Sequence, residues 1–215
     1  MIDCDSYILI GGRSSRLGRD KARVDLGGRT LAERALETVI EALPNARVTF
    51  VAANEAQFAI QAVIADGRFI FDLIPDQGPL GGLHTALADA RKPWIFVLAC
   101  DYPFVAAGLI RVLADQLDEE HGAVVPEQSD GRLQPLCAFY KTDAARSIVQ
   151  EIIDRPRVPP PLHEIIRQLN PNIVRPRNWG HLADADRFFV NVNTDLDLDL
   201  AREIERKLSP RKEIK

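Results

Sequence analysis

WIFVLACD, residues 94–101, is the stretch that decides the fold, because six apolar residues run directly into a cysteine and an aspartate. A strand without polar residues is typical of the centre of a parallel sheet, where helices cover both faces. Shorter apolar runs precede it at 7–10, 48–53 and 69–71, and stretches with helical or loop character separate them. This alternation predicts an α/β fold with a doubly wound, mostly parallel sheet flanked by helices.

The rest of the chain continues the alternation less regularly. We predict helices at 30–43, 55–64, 107–117, 143–153 and 195–208, and further strands at 123–125, 136–140 and 188–191. Thr30 and Glu33 have the spacing of a capping box at the start of the first helix. The arginine- and proline-rich segment 155–161 is either a lid or a solvated connector, and we favour the connector. We expect a single domain over 1–208 and a frayed tail at 209–215.

Composition narrows the class of protein. The chain has 215 residues, is 46% hydrophobic and carries a formal net charge of -4, so we expect no nucleic-acid partner. Its three cysteines are far apart, which argues against both a disulfide framework and a zinc knuckle. Neither a signal peptide nor an apolar run of about 20 residues is present, so we expect a cytoplasmic protein without a membrane partner.

Polar residues follow each of the four strands before Asp101. The loop after the first strand reads GGRSSRLGRDK, and Asn54, Asp72 and Asp101 follow the next three strands. Doubly wound sheets bind ligands outside the carboxyl ends of their strands. The sequence therefore predicts one binding site at this edge of the sheet.

The first of these loops has the chemistry of a polyphosphate site. Gly11 and Gly12 expose backbone amides, and Arg16 and Lys21 add full positive charges. The spacings GxxxxGK[ST] and GxGxxG are both absent, so neither a P-loop nor a standard dinucleotide-binding loop is supported. A solvated basic loop is the alternative, and the position of the loop at a strand end argues against it.

Asp101 has two interpretations. A carboxylate next to a polyphosphate site is suited to Mg²⁺, which typically takes one or two protein carboxylates plus phosphate oxygens. The same residue could instead cap the next helix. We favour the metal role because of the neighbouring basic loop.

GGRSSRLGRDKA resembles the signature of the molybdenum cofactor guanylyltransferases, which have the nucleotide-diphospho-sugar transferase fold. GPLGGLHTAL, CDYPF, LQPLCAFY and FVNVNTDLDL are also similar to motifs of that family and follow in the same order, up to about Leu200. Leu17 replaces the usual methionine, a change between apolar residues of similar volume. Ala52 stands where some members have asparagine, and Asn54 lies two residues further on.

The resemblance implies a GTP site and a set of residues for it. They are Leu9, Ile10, Gly11, Gly12, Lys21, Asp72 and Asp101, with Asp101 also holding Mg²⁺. We add Asn54 to the nucleotide site because of its position after the second strand. Arg16, Lys21 and Asp101 are the expected catalytic residues. Gln134, Asn191 and Asn193 are placed on the side of the second substrate, with a loop or a structural turn as the alternative.

The reaction implied is transfer of GMP from GTP to the terminal phosphate of molybdopterin, with Mg²⁺ as cofactor. We also expect transient contact with molybdopterin-handling proteins or with recipient molybdoenzymes. One alternative is a related nucleotidyltransferase that uses CTP or a sugar-phosphate acceptor. Another is a non-catalytic nucleotide-binding regulatory module, which would bind GTP and release no pyrophosphate.

Overall fold

The structure is a computed structural model that describes residues 2–11, 20–54, 67–155 and 158–208. Seven strands form one sheet in the order β3-β2-β1-β4-β6-β5-β7. Their bounds are β1 Cys4–Leu9, β2 Arg47–Ala52, β3 Arg68–Phe71, β4 Trp94–Ala99, β5 Ala123–Pro126, β6 Cys137–Lys141 and β7 Asn172–Val174. The helices are α1 Leu31–Ala42, α2 Gly78–Asp89, α3 Ala107–Ala114, α4 Thr142–Ile153, α5 Leu162–Arg167, α6 Pro176–Trp179 and α7 Asp195–Leu208.

The predicted α/β fold with a mostly parallel sheet is confirmed. β1 pairs in parallel with β2 and β4, β2 with β3, and β5 with β7. β6 is antiparallel to both of its neighbours, β4 and β5. The carboxyl ends of β1 to β4 therefore meet at one edge of the sheet.

Helices cover both faces of the sheet, as the apolar stretch 94–101 predicts. Phe96 and Leu98 of β4 lie in a core with α1 and α3. Ile95 and Val97 point to the other face and pack with α2, α4 and α5. All four side chains are fully buried, which explains why β4 carries no polar residue.

The predicted capping box of the first helix is also confirmed. Thr30 Oγ1 accepts a hydrogen bond from Glu33 N at 3.2 Å, and Thr30 N donates to Glu33 Oε2 at 2.7 Å. This reciprocal pair fixes the start of α1 directly after the segment that carries Lys21.

The predicted strand at 188–191 is wrong. A 3-10 helix at Ala185–Arg187 ends there, and Val190 N donates to Arg187 O in a turn. The apolar side chain of Phe188 reflects packing in the core and not a strand: its ring packs on Trp179, with ring centroids 6.0 Å apart. The seventh strand is Asn172–Val174 instead, which is too short for its sequence to indicate it.

The predicted helix at 55–64 and the predicted tail at 209–215 lie outside the described residues. The single-domain boundary at 208 stays a prediction. Within the described chain, no helix combines the length and the apolar composition needed to cross a membrane.

Candidate active site

A cavity of about 810 Å³ lies at the carboxyl ends of β1 to β4. It is lined by Leu9, Ile10, Gly11, Lys21, Ala53, Asn54, Asp72, Pro75, Asp76, Gly78, Pro79, Ala99, Cys100, Asp101, Leu136 and Asn193. The fold thus brings together most of the residues that the sequence places in a nucleotide site. Gly12 and Arg16 lie outside the described residues, so their positions stay predictions.

Lys21 lines this cavity and places a positive charge in it. It begins a 3-10 helix at Lys21–Arg23, whose start is capped by Asp20, with Ala22 N donating to Asp20 Oδ1 at 3.1 Å. Its Nζ lies 3.5 Å from Asp101 Oδ2 and donates a hydrogen bond to Asn193 Oδ1. Segments that are far apart in the chain therefore meet at one ammonium group.

The Asp101 side chain is partly buried, and its two carboxylate oxygens have different environments. Its Oδ1 is buried and has no hydrogen-bond partner among the described residues. Burial raises the pKa of Asp101, although the charge of Lys21 acts in the opposite direction. Helix α3 begins at Ala107, with Ala106 as its cap. The alternative interpretation of Asp101, as the cap of this helix, is therefore wrong.

Asp72 offers a second carboxylate to the same cavity. Its backbone N–H donates to Ala52 O at 2.9 Å, which continues the pairing of β3 with β2. Its Oδ1 is buried without a partner in the described chain, and burial raises the pKa of this carboxyl to about 6. A raised pKa and an oxygen without a partner are both typical of a carboxyl group that has lost its hydrating water and has gained no hydrogen-bond donor from the protein.

The donor set fits a magnesium ion shared with a phosphate ligand. Asp101 and Asp72 both line this cavity, and each has one buried carboxylate oxygen without a hydrogen-bond partner in the part of the chain that the structure describes. Among the described residues, no group of three or more His, Cys, Asp or Glu side chains converges to hold a metal. Few protein carboxylates, supplemented by phosphate oxygens, are the usual protein environment of Mg²⁺.

Gly11 is required by the backbone around it. Gly11 N donates to Val51 O at 3.2 Å, and a Cβ on Gly11 would lie 2.8 Å from Ala53 N. A side chain at this position would therefore push the end of β1 away from the segment that follows β2. The sequence predicts that the Gly11 amide is exposed to a ligand, and this is wrong, because the hydrogen bond to Val51 uses that amide within the protein.

Gln134 lies in a second cavity of about 540 Å³ that borders the first, since Pro79 and Leu136 line both. Its Oε1 accepts from Tyr102 Oη at 2.9 Å, and its Nε2 donates to Gln128 Oε1 at 2.6 Å. These bonds fix the orientation of the amide.

The three candidates for the second substrate therefore separate in the structure. Gln134 lines the second cavity, and Asn193 lines the first. Asn191 is not among the lining residues of either cavity, and its buried Oδ1 has no partner in the described chain.

Sequence reasoning did not assign the segment around the start of α2 to the first cavity. Pro75 and Asp76 in the loop, and Gly78 and Pro79 at the start of α2, line it. Their turn-forming character was a usable signal, because proline, aspartate and glycine cluster where the chain bends over a ligand site. Asp76 and Gly78 both adopt positive φ, 64° and 56°.

Comparisons with known proteins identify the relatives of this chain. Residues 6–170 match the MobA-like NTP transferase domain. A probable molybdenum cofactor guanylyltransferase of Pelotomaculum thermopropionicum is 32% identical over 203 residues, 94% of this chain and 93% of that protein. Molybdopterin-guanine dinucleotide biosynthesis protein A from Archaeoglobus fulgidus superposes with a TM-score of 0.76 at 26% identity, over 95% of this chain and 100% of that one.

A more distant structure extends the likeness in fold. The 2-C-methyl-D-erythritol 4-phosphate cytidylyltransferase of Thermus thermophilus superposes with a TM-score of 0.64 at 20% identity, over 95% of this chain and 100% of that one. The architecture is thus the nucleotide-diphospho-sugar transferase fold that the resemblance implies. Because the matched domain covers most of the sequence and a relative above 30% identity spans nearly all of it, the chain belongs to the family of MobA-like NTP transferase domains.

Proposed function

We propose that this protein transfers GMP from GTP to the terminal phosphate of molybdopterin and releases pyrophosphate. The observation that carries the proposal is the meeting of Lys21, Asp101 and Asn193 at one wall of the larger cavity. Relatives of similar length are named molybdenum cofactor guanylyltransferases, which supports the choice of nucleotide and acceptor.

The reaction requires that the two substrates be held in position and that negative charge on the phosphates be offset, and residues of the cavity are suited to both tasks. An ionised oxygen of the acceptor phosphate bonds to the α-phosphorus of GTP, and the bond to the β-phosphate oxygen breaks, so pyrophosphate leaves with the electron pair. No protein nucleophile is needed for this step. Lys21 would offset the negative charge that builds on the leaving group, and the loop that follows Gly11, which lies outside the described residues, would supply the backbone amides that orient the triphosphate.

Mg²⁺ is the proposed cofactor, with Asp101 as the residue that would hold it. When bound, the metal ion would supply positive charge to phosphate oxygens. Asp101 is suited to this role because its buried Oδ1 has no protein donor in the described chain. Asp72, whose Oδ1 also lacks a partner among the described residues, adds a second carboxylate at the proposed nucleotide site.

The second cavity is the proposed place for molybdopterin. It borders the first one, and the described residues that line it include Arg132, His163, Arg167 and the phenol of Tyr102 but no acidic residue. Such a lining suits an anionic acceptor. Gln134, whose amide is fixed by hydrogen bonds, would bind the pterin. Transient contact with molybdopterin-handling proteins or recipient molybdoenzymes, and a cytoplasmic location, stay predictions.

Pyrophosphate release tests the proposal. The purified chain with Mg²⁺ and molybdopterin should release pyrophosphate with GTP and far more slowly with CTP, UTP or ATP. Lys21→Ala and Asp101→Ala should each lower the rate by about 10²–10³, the usual effect of removing one pre-organised charged group. Lys92→Ala is the matched control, because Lys92 forms an exposed ion pair with Asp3 at 2.8 Å, before the start of β4.

The alternatives give different results in the same assay. A preference for CTP would indicate a cytidylyltransferase. Binding of GTP without pyrophosphate release would indicate a regulatory module. Full activity in Lys21→Ala would exclude the role assigned to that residue.

A further inference from the structure

Asp197 makes more hydrogen bonds than a helix cap requires. It lies in the first turn of α7, where its backbone N donates to Thr194 Oγ1 at 3.2 Å and its Oδ2 accepts from Thr194 N at 2.8 Å. These two bonds form a capping box. The same Oδ2 also accepts from Asn193 N at 2.9 Å. This third bond reaches one residue beyond the cap, to the residue that contacts Lys21.

We propose that Asp197 is a positioning residue that holds Asn193 so that the Asn193 side chain aims the ammonium group of Lys21. Asp197 does not line the cavity, whereas Asn193 and Lys21 do. A lysine side chain has a flexible four-carbon stem, and acceptors at its end restrict it. Among the described residues, Asn193 Oδ1 and Asp101 Oδ2 are such acceptors for Lys21. The kinetic part of this inference rests on the proposed function.

The backbone around Asn193 is fixed on both sides. Val192 N donates to Asp101 O at 3.0 Å, which ties this segment to the end of β4. On the other side Asp197 holds Thr194 N, so the bond from Asn193 N to Asp197 completes a continuous set of anchored amides. Losing the Asp197 carboxylate frees the amides of Asn193 and Thr194 and leaves the Val192 anchor in place.

A small apolar cluster brings the two segments together. Val24 and Leu26, directly after the 3-10 helix of Lys21, pack with Val192, Leu198 and Ala201. The cluster sets the approach of α7 to the segment of Lys21, and the polar contacts of Asp197 set the orientation of Asn193 within it. Burial raises the pKa of Asp197, but hydrogen bonds from Asn193 and Thr194 and the charge of Lys21 outweigh it, so the pKa lies below its usual value.

Asp197→Ala is the test variant and Thr194→Ala is its matched control. Both break the capping box and should lower the melting temperature, and Asp197→Ala should lower it more because it also frees the amides of Asn193 and Thr194. Thr194→Ala retains the carboxylate that binds Asn193 N, so its kcat should stay within about twofold of wild type. Asp197→Ala should lower kcat roughly tenfold or more, because a small displacement of a catalytic group is enough for such a loss.

Two further variants separate positioning from general destabilisation. Asp197→Asn keeps an acceptor oxygen and should recover most of kcat. If Asp197 acts through Asn193, the double variant Asn193→Ala/Asp197→Ala should be no slower than Asn193→Ala alone. Additive losses in the double variant, or equal kcat in Asp197→Ala and Thr194→Ala, would overturn the inference.

A measurement without substrate makes the result independent of the proposed reaction. The Lys21 Cε and Nζ resonances can be followed in protein labelled at lysine and assigned through their loss in Lys21→Arg. Asp197→Ala should shift them in the same direction as Asn193→Ala, and Thr194→Ala should leave them in place. If wild type releases no pyrophosphate, the proposed function fails while this measurement still decides the role of Asp197. Unshifted Lys21 resonances in Asp197→Ala would refute that role.

Discussion

Asp72 contains a carboxyl group whose environment favours the protonated form. Burial raises its pKa from 3.8 to about 6, and its Oδ1 has no donor in the described chain. The folded protein therefore binds this proton more tightly than the unfolded chain does. Stabilisation by the bound proton is complete at low pH and is lost as the pH rises through about 6. Carboxyl groups with a raised pKa are common at functional sites, including sites that bind a cation.

Asp72→Asn, which resembles the protonated carboxyl, should gain stability over wild type as the pH rises. Melting temperatures measured from pH ~4 to ~8 should show a small difference at the acid end that grows up to pH ~6 and is constant above pH ~7. A difference that does not depend on pH would contradict the assignment of the raised pKa to Asp72.

At the scale of elements, the sequence predicts the strands and helices that have strong local signals. The apolar run of β4 and the capping box of α1 are both confirmed. The strand predicted at 188–191 fails because an aromatic pair packs equally well in a loop when Trp179 lies beneath it. Short strands such as β7 depend on pairing with a neighbour, in this case β5, and local composition does not encode that pairing.

Gly11→Ala tests the close approach between the ends of β1 and β2. The new Cβ would meet Ala53 N at 2.8 Å, and backbone atoms cannot move aside as a flexible side chain would. We expect a loss of stability of about 1–3 kcal/mol in chemical denaturation, the usual effect of overpacking, together with weaker binding of GTP.

Gly108→Ala is the control for this substitution. A Cβ on Gly108 in α3 would meet only the side chain of Leu182, at 3.4 Å. Replacing a helical glycine by alanine removes an entropic penalty, so this variant should be unchanged or more stable by up to about 1 kcal/mol. Equal losses in the two variants would refute the argument from Ala53.

At the scale of the whole molecule, the candidate site and a second polar cluster lie at opposite edges of the sheet. At the amino ends of the strands, Asp89 accepts hydrogen bonds from Tyr7 Oη at 2.9 Å and from both terminal nitrogens of Arg68 at 2.6 Å. The hydrogen bonds from Arg68 lower the pKa of Asp89 most. Tyr7 is fully buried, so its hydroxyl depends on this acceptor. This cluster stabilises the sheet away from the substrate cavities.

Asp89→Ala should therefore destabilise the protein without changing its chemistry. Leaving the Tyr7 hydroxyl and Arg68 without their acceptor should lower the free energy of unfolding by about 1–3 kcal/mol, with kcat/KM for GTP unchanged. Asp3→Ala is the comparison, since its ion pair with Lys92 is exposed and should contribute little to stability. A parallel fall in kcat/KM of Asp89→Ala would show that the two edges are coupled.

The sequence by itself determined the α/β class, the order of most elements and the polar residues at the ends of β1 to β4. These features depend on local patterns of apolar and polar residues, which are present in the sequence whatever the tertiary contacts are. Only the tertiary structure decided that β6 enters the sheet antiparallel between β4 and β5, and that Asn193 meets Lys21 across 172 positions of sequence. Such contacts depend on the path of the whole chain, which is why the link from Asp197 through Asn193 to Lys21 has no signal in any single motif.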